Sequence, residues 1–336
     1  MKVLIYGEAY GYALAPQIKR SFVQLGCDAE IFNWTMYLYT ERGINLKNRV
    51  FNRIMLKSIA AKINRDFINV VKKNKYDLVL VNNGWHLTGD TIDAVKKYAK
   101  KVVNWSTDEL FNKVFARFIH VESYSKYDCI FSQRKHLFDS YLTKGIKRVE
   151  FLPLFYYPEH HPVVVSEKDK LLWGSDIAFM GTWNKEREKI IEALTGYNVK
   201  IWGAQWNRSK PSFKKKFEIT NKIAWLEDMS KVVSSTKIIV DNLTKGQTDK
   251  VNMKNYQIPA CGGVLLTQRT DVIQELFEEN KEVICYDSLE ELREKCEYYL
   301  KNEAARNSIA VNGYKKVVSA PNTILDRIKD ILQVCS

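Results

Sequence analysis

A glycine followed by basic residues at the start of a predicted helix is the first pattern here with a clear chemical use. Gly181 ends the apolar run 176–180, and Lys185 and Arg187 follow at the beginning of a helix predicted over 184–195. The N–H groups and the dipole at a helix N-terminus attract anions, and a guanidinium can bind phosphate through two hydrogen bonds. The pattern therefore indicates a phosphate site, although lysine, glutamate and arginine also alternate on ordinary solvated helices.

Ionisable side chains also follow three predicted strands of the N-terminal half, where Glu8, His86 and Asp108 stand. Because ligands in open α/β sheets bind beyond the carboxyl ends of the strands, these side chains are candidates for chemistry. A carboxylate or an imidazole in such a place can accept a proton. Two structural alternatives stay open. A lone histidine is more often structural, and Thr107 or Asp108 can cap a following helix.

Strand–helix alternation is what would position these residues. Short apolar runs such as 2–6, 77–81 and 237–241 alternate with amphipathic segments along the chain. Continuous apolar runs of this length are typical of buried parallel strands, and the alternation predicts a doubly wound α/β fold. Prolines and charged residues over 153–172 interrupt the rhythm, which predicts a linker between two similar halves.

Length and composition agree with two folded domains. The chain has 336 residues, of which 46% are hydrophobic and 27% charged, and no apolar run reaches the roughly 18 residues that span a bilayer. Its six cysteines are far apart without a C-x-x-C pair, so no structural metal is expected. The short apolar start before Glu8 predicts a first strand and not a secretory signal, hence a cytoplasmic protein.

Positive charge is concentrated in two segments. The net charge is +13, and it comes from segment 41–75, with ten basic and two acidic residues, and segment 208–222, with six basic residues and one acidic residue. Localised positive charge favours an anionic partner, which can be nucleic acid, a membrane surface or a phosphorylated substrate. The first two would make the protein peripheral to a membrane or to nucleic acid. The alternative is a solvated helix face.

The most distinctive motif covers residues 249–263, with the sequence Asp-Lys-Val-Asn-Met-Lys-Asn-Tyr-Gln-Ile-Pro-Ala-Cys-Gly-Gly. It resembles the Phe-Glu-Ile-Pro-Ala-Cys-Gly segment of CgeB-like glycosyltransferases of the spore-maturation type. Segments 177–183, 199–203 and 286–292 are similar to that family as well. The resemblance covers nearly the whole chain and is most specific in the C-terminal half. It implies the GT-B fold, in which two Rossmann-like doubly wound α/β domains face a central cleft.

The resemblance also implies an activity and a domain division. Relatives transfer a sugar from a nucleotide-diphosphate sugar to a hydroxyl, so we expect a hexosyltransferase with a UDP-sugar donor as substrate, no required cofactor and no metal. Residues 1–165 would form the acceptor-side domain and residues 166–318 the nucleotide-sugar-binding domain. Residues 319–336 would form a helix that crosses back to the first domain. The acceptor stays open among glycan, protein and nucleic acid.

Donor-binding residues are implied by the same resemblance. Phosphates are expected on the Gly181 loop, Arg187 and Lys254, and the ribose at Gln257. The nucleotide base is expected beside the end of strand 198–202. The full expected set is Gly181, Thr182, Arg187, Trp202, Gly203, Asp249, Lys254, Gln257 and Gly262.

Two of these positions depart from the wider GT-B group. Asp249 and Gln257 stand where that group has two glutamates, one near the sugar and one on the ribose hydroxyls. Gln257 lacks the carboxylate that would accept both ribose hydroxyl protons. The departure leaves open whether the transfer inverts or retains the anomeric configuration.

An inverting transfer needs a general base within hydrogen-bond reach of the acceptor hydroxyl. Asp108 is the best-placed carboxylate of the first half, with Glu8 and Glu109 behind it, and His86 is a candidate for contact with sugar or acceptor. Phage DNA glucosyltransferases resemble this chain more distantly and share the aspartate, so transfer to a hydroxylated DNA base is one alternative. A GT-B module that binds nucleotide or polyanion without catalysis is another, and Gln257 favours it.

Overall fold

The structure is a computed structural model, and the residues that it describes are 1–38, 55–108, 120–243 and 250–336. The chain divides into two compact units. The first consists of Met1–Pro153 and Ile324–Ser336, and the second of Leu154–Thr323. Each unit contains one parallel sheet with helices on its faces.

The strands alternate with helices along both units. The described strands are β1 (Lys2–Gly7), β2 (Asp28–Asn33), β3 (Tyr76–Asn82), β4 (Ala99–Ser106), β5 (Cys129–Ser132), β6 (Val149–Phe151), β7 (Ser175–Met180), β8 (Val199–Trp202), β9 (Glu218–Ile219), β10 (Thr236–Val240), β11 (Leu265–Gln268) and β12 (Ile284–Tyr286). The first sheet has the order β2-β1-β3-β4-β5-β6 and the second β12-β11-β10-β7-β8-β9. All their pairings are parallel. The predicted α/β class with two doubly wound sheets is confirmed.

Ten of the described α-helices lie between successive strands, and three follow the last strand. The described α-helices are α1 (Ala15–Gln24), α2 (Leu56–Asn74), α3 (Gly89–Lys96), α4 (Phe138–Thr143), α5 (Glu167–Trp173), α6 (Lys185–Glu192), α7 (Pro211–Lys214), α8 (Glu227–Ser234), α9 (Lys254–Ala260), α10 (Asp271–Leu276), α11 (Leu289–Lys301), α12 (Glu303–Val318) and α13 (Ile324–Cys335). Helix α13 packs against α1 within the first unit. No helix among the described residues is both long and apolar enough to cross a membrane.

Each sheet is buried on both faces, which explains the continuous apolar runs. Leu78, Val79, Leu80 and Val81 of β3 are all at most 1% exposed, because helices cover the sheet on either side. In the second unit, side chains of β7 alternate between two cores. One core contains Phe179 and the other contains its neighbours in sequence. Tightly packed side chains on both faces of the sheet therefore hold the ends of its strands in place.

The segment predicted as a linker, 153–172, is structured. Ser166 and Asp169 form a capping box, in which each side chain bonds the backbone N–H of the other, and α5 follows directly. The stretch before it, which belongs to the second unit, packs against α8. The hydroxyl of Ser230 donates to the carbonyl oxygen of Glu159 (2.7 Å). The boundary between the two units lies at the start of this segment, between Pro153 and Leu154, and the Ser-x-x-Asp spacing within it starts a helix that the sequence analysis did not predict.

Candidate functional site

Two glycines bring the ends of β7 and β8 into close contact. The N–H of Gly181 donates to the carbonyl oxygen of Trp202 (2.8 Å), and the N–H of Trp183 to that of Ala204 (2.9 Å). Gly203 has φ +153°, and a Cβ there would lie 2.0 Å from the carbonyl oxygen of Gly181. Only glycine fits this approach. The predicted loop at Gly181 and Gly203 is thus one tightly packed strand-end structure.

Arg187 folds back over the loop that begins α6. The Oδ1 atom of Asn184 accepts from the backbone N–H of Arg187 (2.8 Å) and caps the helix. The guanidinium of Arg187 donates from Nη1 to the carbonyl oxygen of Thr182 (2.7 Å) and from Nε to Oδ1 of Asn242 (3.1 Å). Burial lowers the pKa of the guanidinium. These bonds hold a half-buried cation beside the helix N-terminus, where the sequence predicts a phosphate.

Lys254 reaches the same strand ends from the start of α9. Its Nζ donates to the carbonyl oxygen of Met180 (3.0 Å) and forms an ion pair with Asp241. Asp241 is fully buried, and its other carboxylate oxygen accepts from Nδ2 of Asn252 (2.7 Å). Burial lowers the pKa of Lys254, the Asp241 charge raises it, and Arg187 lowers it further. Lys254 thus pairs with the Asp241 carboxylate, and Arg187 interacts with it electrostatically. Two cations beside one carboxylate give this cluster a net positive charge that a diphosphate can neutralise.

Asp241 is a site residue that the sequence did not single out. The available signal was a carboxylate directly after the apolar run Ile238–Val240. Because a buried carboxylate needs a partner, such an acid predicts a nearby cation. We name Arg187, Asp241 and Lys254 the cation cluster.

Trp202 lies at the predicted strand end, but its ring points into the core. The indole is 3% exposed and stacks on Trp173, with ring centroids 5.2 Å apart. The ring therefore presents little free surface to a nucleotide base. A base contact at this strand end stays a prediction, with the backbone of Gly203 as the better candidate for it.

The remaining predicted donor residues lie on or near α9. Gln257 is buried one helical turn after Lys254, on the same side of the helix. Gly262 follows the opposite end of α9 with φ +73°, and a Cβ there would lie 3.0 Å from the Pro162 ring. Gly262 thus ends the helix in the left-handed conformation and is not part of the cation cluster. Asp249 lies outside the described residues.

In the first unit, Asp108 follows β4 and is hydrogen-bonded by Asn83, which lies in the loop after β3. Nδ2 of Asn83 donates to Oδ2 of Asp108 (2.8 Å). Oδ1 of Asn83 accepts from the N–H groups of Thr107 (2.7 Å) and Asp108 (3.0 Å). Asn83 itself has φ +58°, and the hydroxyl of Tyr124 donates to its carbonyl oxygen. Both the backbone and the side chain of Asp108 are therefore fixed. Helix capping by Asp108 and the role of Glu109 concern residues 109–119, outside the described part of the chain.

Glu8 lies at the same edge of the first sheet, after β1. Burial raises the pKa of its carboxyl, a hydrogen bond from Tyr10 lowers it, and the Asp108 charge raises it. Burial and Glu8 in turn raise the pKa of Tyr10. Glu8 and Asp108 are therefore close enough to interact electrostatically. This edge of the sheet carries two acidic groups in different environments, one of which takes up a proton more easily than usual.

The raised pKa of Glu8 predicts a pH-dependent stability. Stability linked to this group is complete below the ordinary pKa of 4.5 and is lost as the pH rises through the higher folded-state pKa. Glu8→Gln is therefore expected to raise Tm by a few degrees at about pH 8 and to change it little at about pH 4. Calorimetry checks this, with the exposed Glu275→Gln as the control. A lower Tm for Glu8→Gln at both pH values would contradict the assignment.

His86 follows β3 as predicted, but its ring is enclosed. The side chain is 3% exposed and contacts the Trp34 ring edge-on, with centroids 5.2 Å apart. Burial lowers the pKa of His86 to about 4, so the ring is neutral at physiological pH. Its carbonyl oxygen accepts from Nδ2 of Asn64 (2.8 Å). These contacts favour a structural role, and contact with sugar or acceptor stays a prediction.

Residues 185–333 match a family model described as "Glycosyl transferase-like". No protein with a curated description matches the sequence.

Solved structures similar to this chain cover both units. Sucrose-phosphate synthase from Thermosynechococcus elongatus is 11% identical, with a TM-score of 0.72 over 99% of this chain and 98% of that one. HepE from Anabaena, in complex with UDP-glucose, is 11% identical, with a TM-score of 0.65 over 99% of both chains. A UDP-forming trehalose-phosphate synthase from Burkholderia xenovorans is 10% identical, with a TM-score of 0.64 over 99% of this chain and 98% of that one.

At 10–11% identity, the similarity to these solved structures shows the class of fold alone. The two doubly wound α/β units have the GT-B fold of glycosyltransferases. More particularly, the glycosyltransferase-like match covers α6 through most of α13, and so includes the whole cation cluster.

Proposed function

We propose that this protein is a glycosyltransferase that moves a sugar from a UDP-sugar to an acceptor hydroxyl. The observation that carries the proposal is the cation cluster, in which Lys254 pairs with the buried carboxylate of Asp241 and the Arg187 guanidinium interacts electrostatically with both groups. The glycosyltransferase-like match over 185–333 supports it. The complex of HepE with UDP-glucose supports UDP as the nucleotide. The second unit would therefore bind the donor.

The cation cluster suits the departure of a nucleoside diphosphate. When the bond between the sugar and the diphosphate breaks, negative charge develops on the leaving phosphate oxygen. Lys254 and Arg187 are fixed before the reaction by their bonds to backbone oxygens and to Asp241 and Asn242, so they can stabilise this charge without reorganising. This is the work that a divalent cation does in other enzymes. We therefore propose that transfer requires no metal cofactor.

We propose that Asp108 of the first unit is the general base. It would take the proton of the acceptor hydroxyl while the acceptor oxygen bonds to the anomeric carbon and UDP leaves with the bonding electrons. The bond from Asn83 orients the Asp108 carboxylate for this task. Glu8 is the second candidate, because burial raises the pKa of its carboxyl and so favours its taking up a proton. A base of this kind fits inversion, whereas a trehalose-6-phosphate synthase of the same fold is described as transferring with retention.

Three further parts of the proposal concern the family, the cellular location and the alternative functions of this protein. We propose that the protein is a CgeB-like hexosyltransferase, because the motif at 249–263 resembles that family. We further propose that it is located in the cytoplasm. A DNA glucosyltransferase is the second candidate, because the basic side chains of 208–222 are exposed in the structure. Of the other basic segment, 41–75, the structure describes residues 55–75, of which Leu56–Asn74 form α2. A non-catalytic module is favoured only by Gln257.

Donor turnover tests the proposal. The protein is expected to release UDP slowly from UDP-glucose or another UDP-sugar, and to do so equally in the presence of a chelator. Free UDP is measured by chromatography, with heated protein as the control. Binding of UDP without release from any UDP-sugar, with or without acceptors, would favour the non-catalytic module. Release that the chelator abolishes would refute the metal-independent mechanism.

A further inference from the structure

The second unit contains an open cleft beside its edge strand β12. The cleft has a volume of about 660 Å³ and lies between α11, α12 and the loop that precedes β12. Small-molecule sites commonly have volumes of roughly 300–1,000 Å³ and combine aromatic or apolar side chains with a few polar groups. Tyr298, Ile309 and Asn280 give this cleft both kinds of lining. We name it the α11–α12 cleft.

The α11–α12 cleft is separate from the cation cluster. Asn280 lies in the loop before β12, and the strands of a parallel sheet begin at the edge opposite to their carboxyl ends. The cation cluster instead lies at the carboxyl ends of β7 and β10, and β11 separates β10 from β12. None of the described residues that line the cleft belongs to the predicted donor-binding set. A ligand in the cleft would therefore leave the donor site open.

A rigid corner between α11 and α12 forms one side of the cleft. Oδ1 of Asn302 accepts from the N–H of Ala305 (3.0 Å) and caps α12, and its Nδ2 donates to the hydroxyl oxygen of Tyr298 (3.2 Å). The buried guanidinium of Arg306 donates to the carbonyl oxygen of Tyr299 (2.6 Å) near the end of α11. These bonds fix the two helices against each other, so the cleft is formed before a ligand binds.

Tyr298 presents an aromatic ring to solvent in a fixed position. Tyr298 is 54% exposed, whereas its neighbour Tyr299 is 5% exposed. The two rings meet edge to face, with centroids 4.9 Å apart and an interplanar angle of 89°. This packing and the bond from Asn302 hold the ring of Tyr298 in place. An exposed ring held in this way can stack on an apolar surface of a ligand.

Polar groups lie beside this ring. Oδ1 of Asn280 accepts from Nζ of Lys295 (3.0 Å) and from the hydroxyl of Tyr299 (3.3 Å). Neither bond uses Nδ2 of Asn280, whose N–H groups can donate to a ligand. The carboxylate of Glu294, which also lines the cleft, can accept hydrogen bonds. The cleft thus combines donors and acceptors with an aromatic ring.

The charges of the cleft are balanced. Among the described residues that line it, Glu294 is the acidic one and Lys295 the basic one. Lys295 also interacts electrostatically with Glu279 and Glu291, so its positive charge already faces other acidic groups. A nucleotide or another anion would therefore gain little attraction here, and a neutral ligand complements the cleft better.

We propose that the α11–α12 cleft binds a neutral carbohydrate. A pyranose has an apolar face of C–H groups, which would stack on Tyr298. The hydroxyls at its rim both donate and accept hydrogen bonds. Nδ2 of Asn280 and Nζ of Lys295 would donate to these hydroxyls, and the carboxylate of Glu294 would accept from them. The inference goes beyond the proposed donor chemistry, because it places a second sugar site apart from the cation cluster.

Titration calorimetry of the full chain with neutral sugars tests the cleft. Glucose, N-acetylglucosamine, maltose and cellobiose are the probes, and at least one is expected to bind with a Kd below about 10 mM. Tyr298→Ala is expected to bind that sugar at least about fivefold more weakly, and Tyr298→Phe, which keeps the ring, within about twofold of the wild type. Phe151→Ala is the matched control, because Phe151 is 41% exposed on β6 of the first unit. It is expected to bind like the wild type.

Asn280→Gly tests the polar side of the cleft without straining the turn. Asn280 has φ +60°, a left-handed conformation that glycine adopts freely. The variant loses the amide and is expected to bind the sugar about threefold more weakly or worse. UDP affinity is expected to stay unchanged in every variant.

Three outcomes would overturn the proposal. They are the absence of binding of every probe sugar to the wild type, wild-type affinity of Tyr298→Ala or Asn280→Gly, and a Tyr298-dependent preference for glucose 6-phosphate over glucose. The last result would indicate an anion site. Because UDP binding is measured separately, failure of the cleft and failure of the donor site are distinguishable.

Discussion

Asp108→Asn is expected to lower turnover about a hundredfold or more while donor affinity and Tm stay close to those of the wild type. The amide has the size of the carboxylate, and its oxygen can still accept the hydrogen bond from Asn83. It cannot accept the proton of the acceptor hydroxyl. The rate of UDP release in the presence of acceptor, together with a UDP binding isotherm, measures both effects.

Two further variants separate catalysis from folding at this site. Asp139→Asn, an exposed substitution in α4 of the same unit, is the matched control and is expected to behave like the wild type. Asn83→Ala is expected to reduce turnover less than Asp108→Asn, because it removes the orienting bonds but leaves the carboxylate. If Asp108→Asn turns over like the wild type, or only unfolds more easily, Asp108 is structural and a retaining mechanism gains support.

Removal of Lys254 is expected to weaken UDP binding by about 1.5–3 kcal/mol, which is roughly 10- to 150-fold in Kd. Uridine affinity should change little, because the nucleoside has no phosphate to bind. Lys254→Met and Arg187→Ala are both expected to show this selectivity. Titration calorimetry with UDP and uridine measures it. An equal loss for both ligands would mean that these residues are structural.

Lys254→Met has a structural side effect that needs its own control. Asp241 is fully buried and would lose its ion-pair partner, so the single variant is expected to be less stable. Adding Asp241→Asn removes the unpaired charge. The double variant is expected to recover stability but not UDP affinity. Recovery of both would show that the ammonium of Lys254 only compensates Asp241 and does not bind phosphate.

The fold was predictable where strands are continuous and apolar. The runs in β1, β3 and β10 are buried on both faces, and this burial is what makes their sequences recognisable. Strand β9 has only two residues, and its position depends on pairing with β8, so no local pattern could indicate it. Helix α5 was missed for a different reason. Its Ser166–Asp169 capping box is a local signal, but the surrounding charges favoured a linker.

Residues of the candidate site were predictable from the sequence only where they lie close together in one segment. Gly181 and Arg187 lie in one strand–loop–helix segment, and the structure brings them together. Asn83 and Asp108 are 25 residues apart and meet because β3 and β4 are neighbours in the sheet. Such a contact is tertiary, so no spacing in the sequence indicates it.

Trp202 shows a second reason why contacts at the site cannot be predicted from the sequence alone. Side chains alternate between the two faces of a strand, and a terminal aromatic residue does not reveal which face it takes. Here the indole takes the face of Trp173 and is buried. A tryptophan at the carboxyl end of a strand therefore indicates a ligand contact only when its face is known.

A ligand-dependent Tm tests most directly whether the second unit binds a nucleoside diphosphate through the cation cluster. UDP, GDP, dTDP and uridine would each be added to the wild-type protein at about 1 mM. A ligand bound only to the native state stabilises it by mass action, by about 2.7 kcal/mol at a hundred times Kd. UDP is expected to raise Tm by a few degrees, and uridine by clearly less. If none of the three diphosphates shifts Tm at this concentration, the account of this protein as a UDP-sugar-dependent transferase is contradicted.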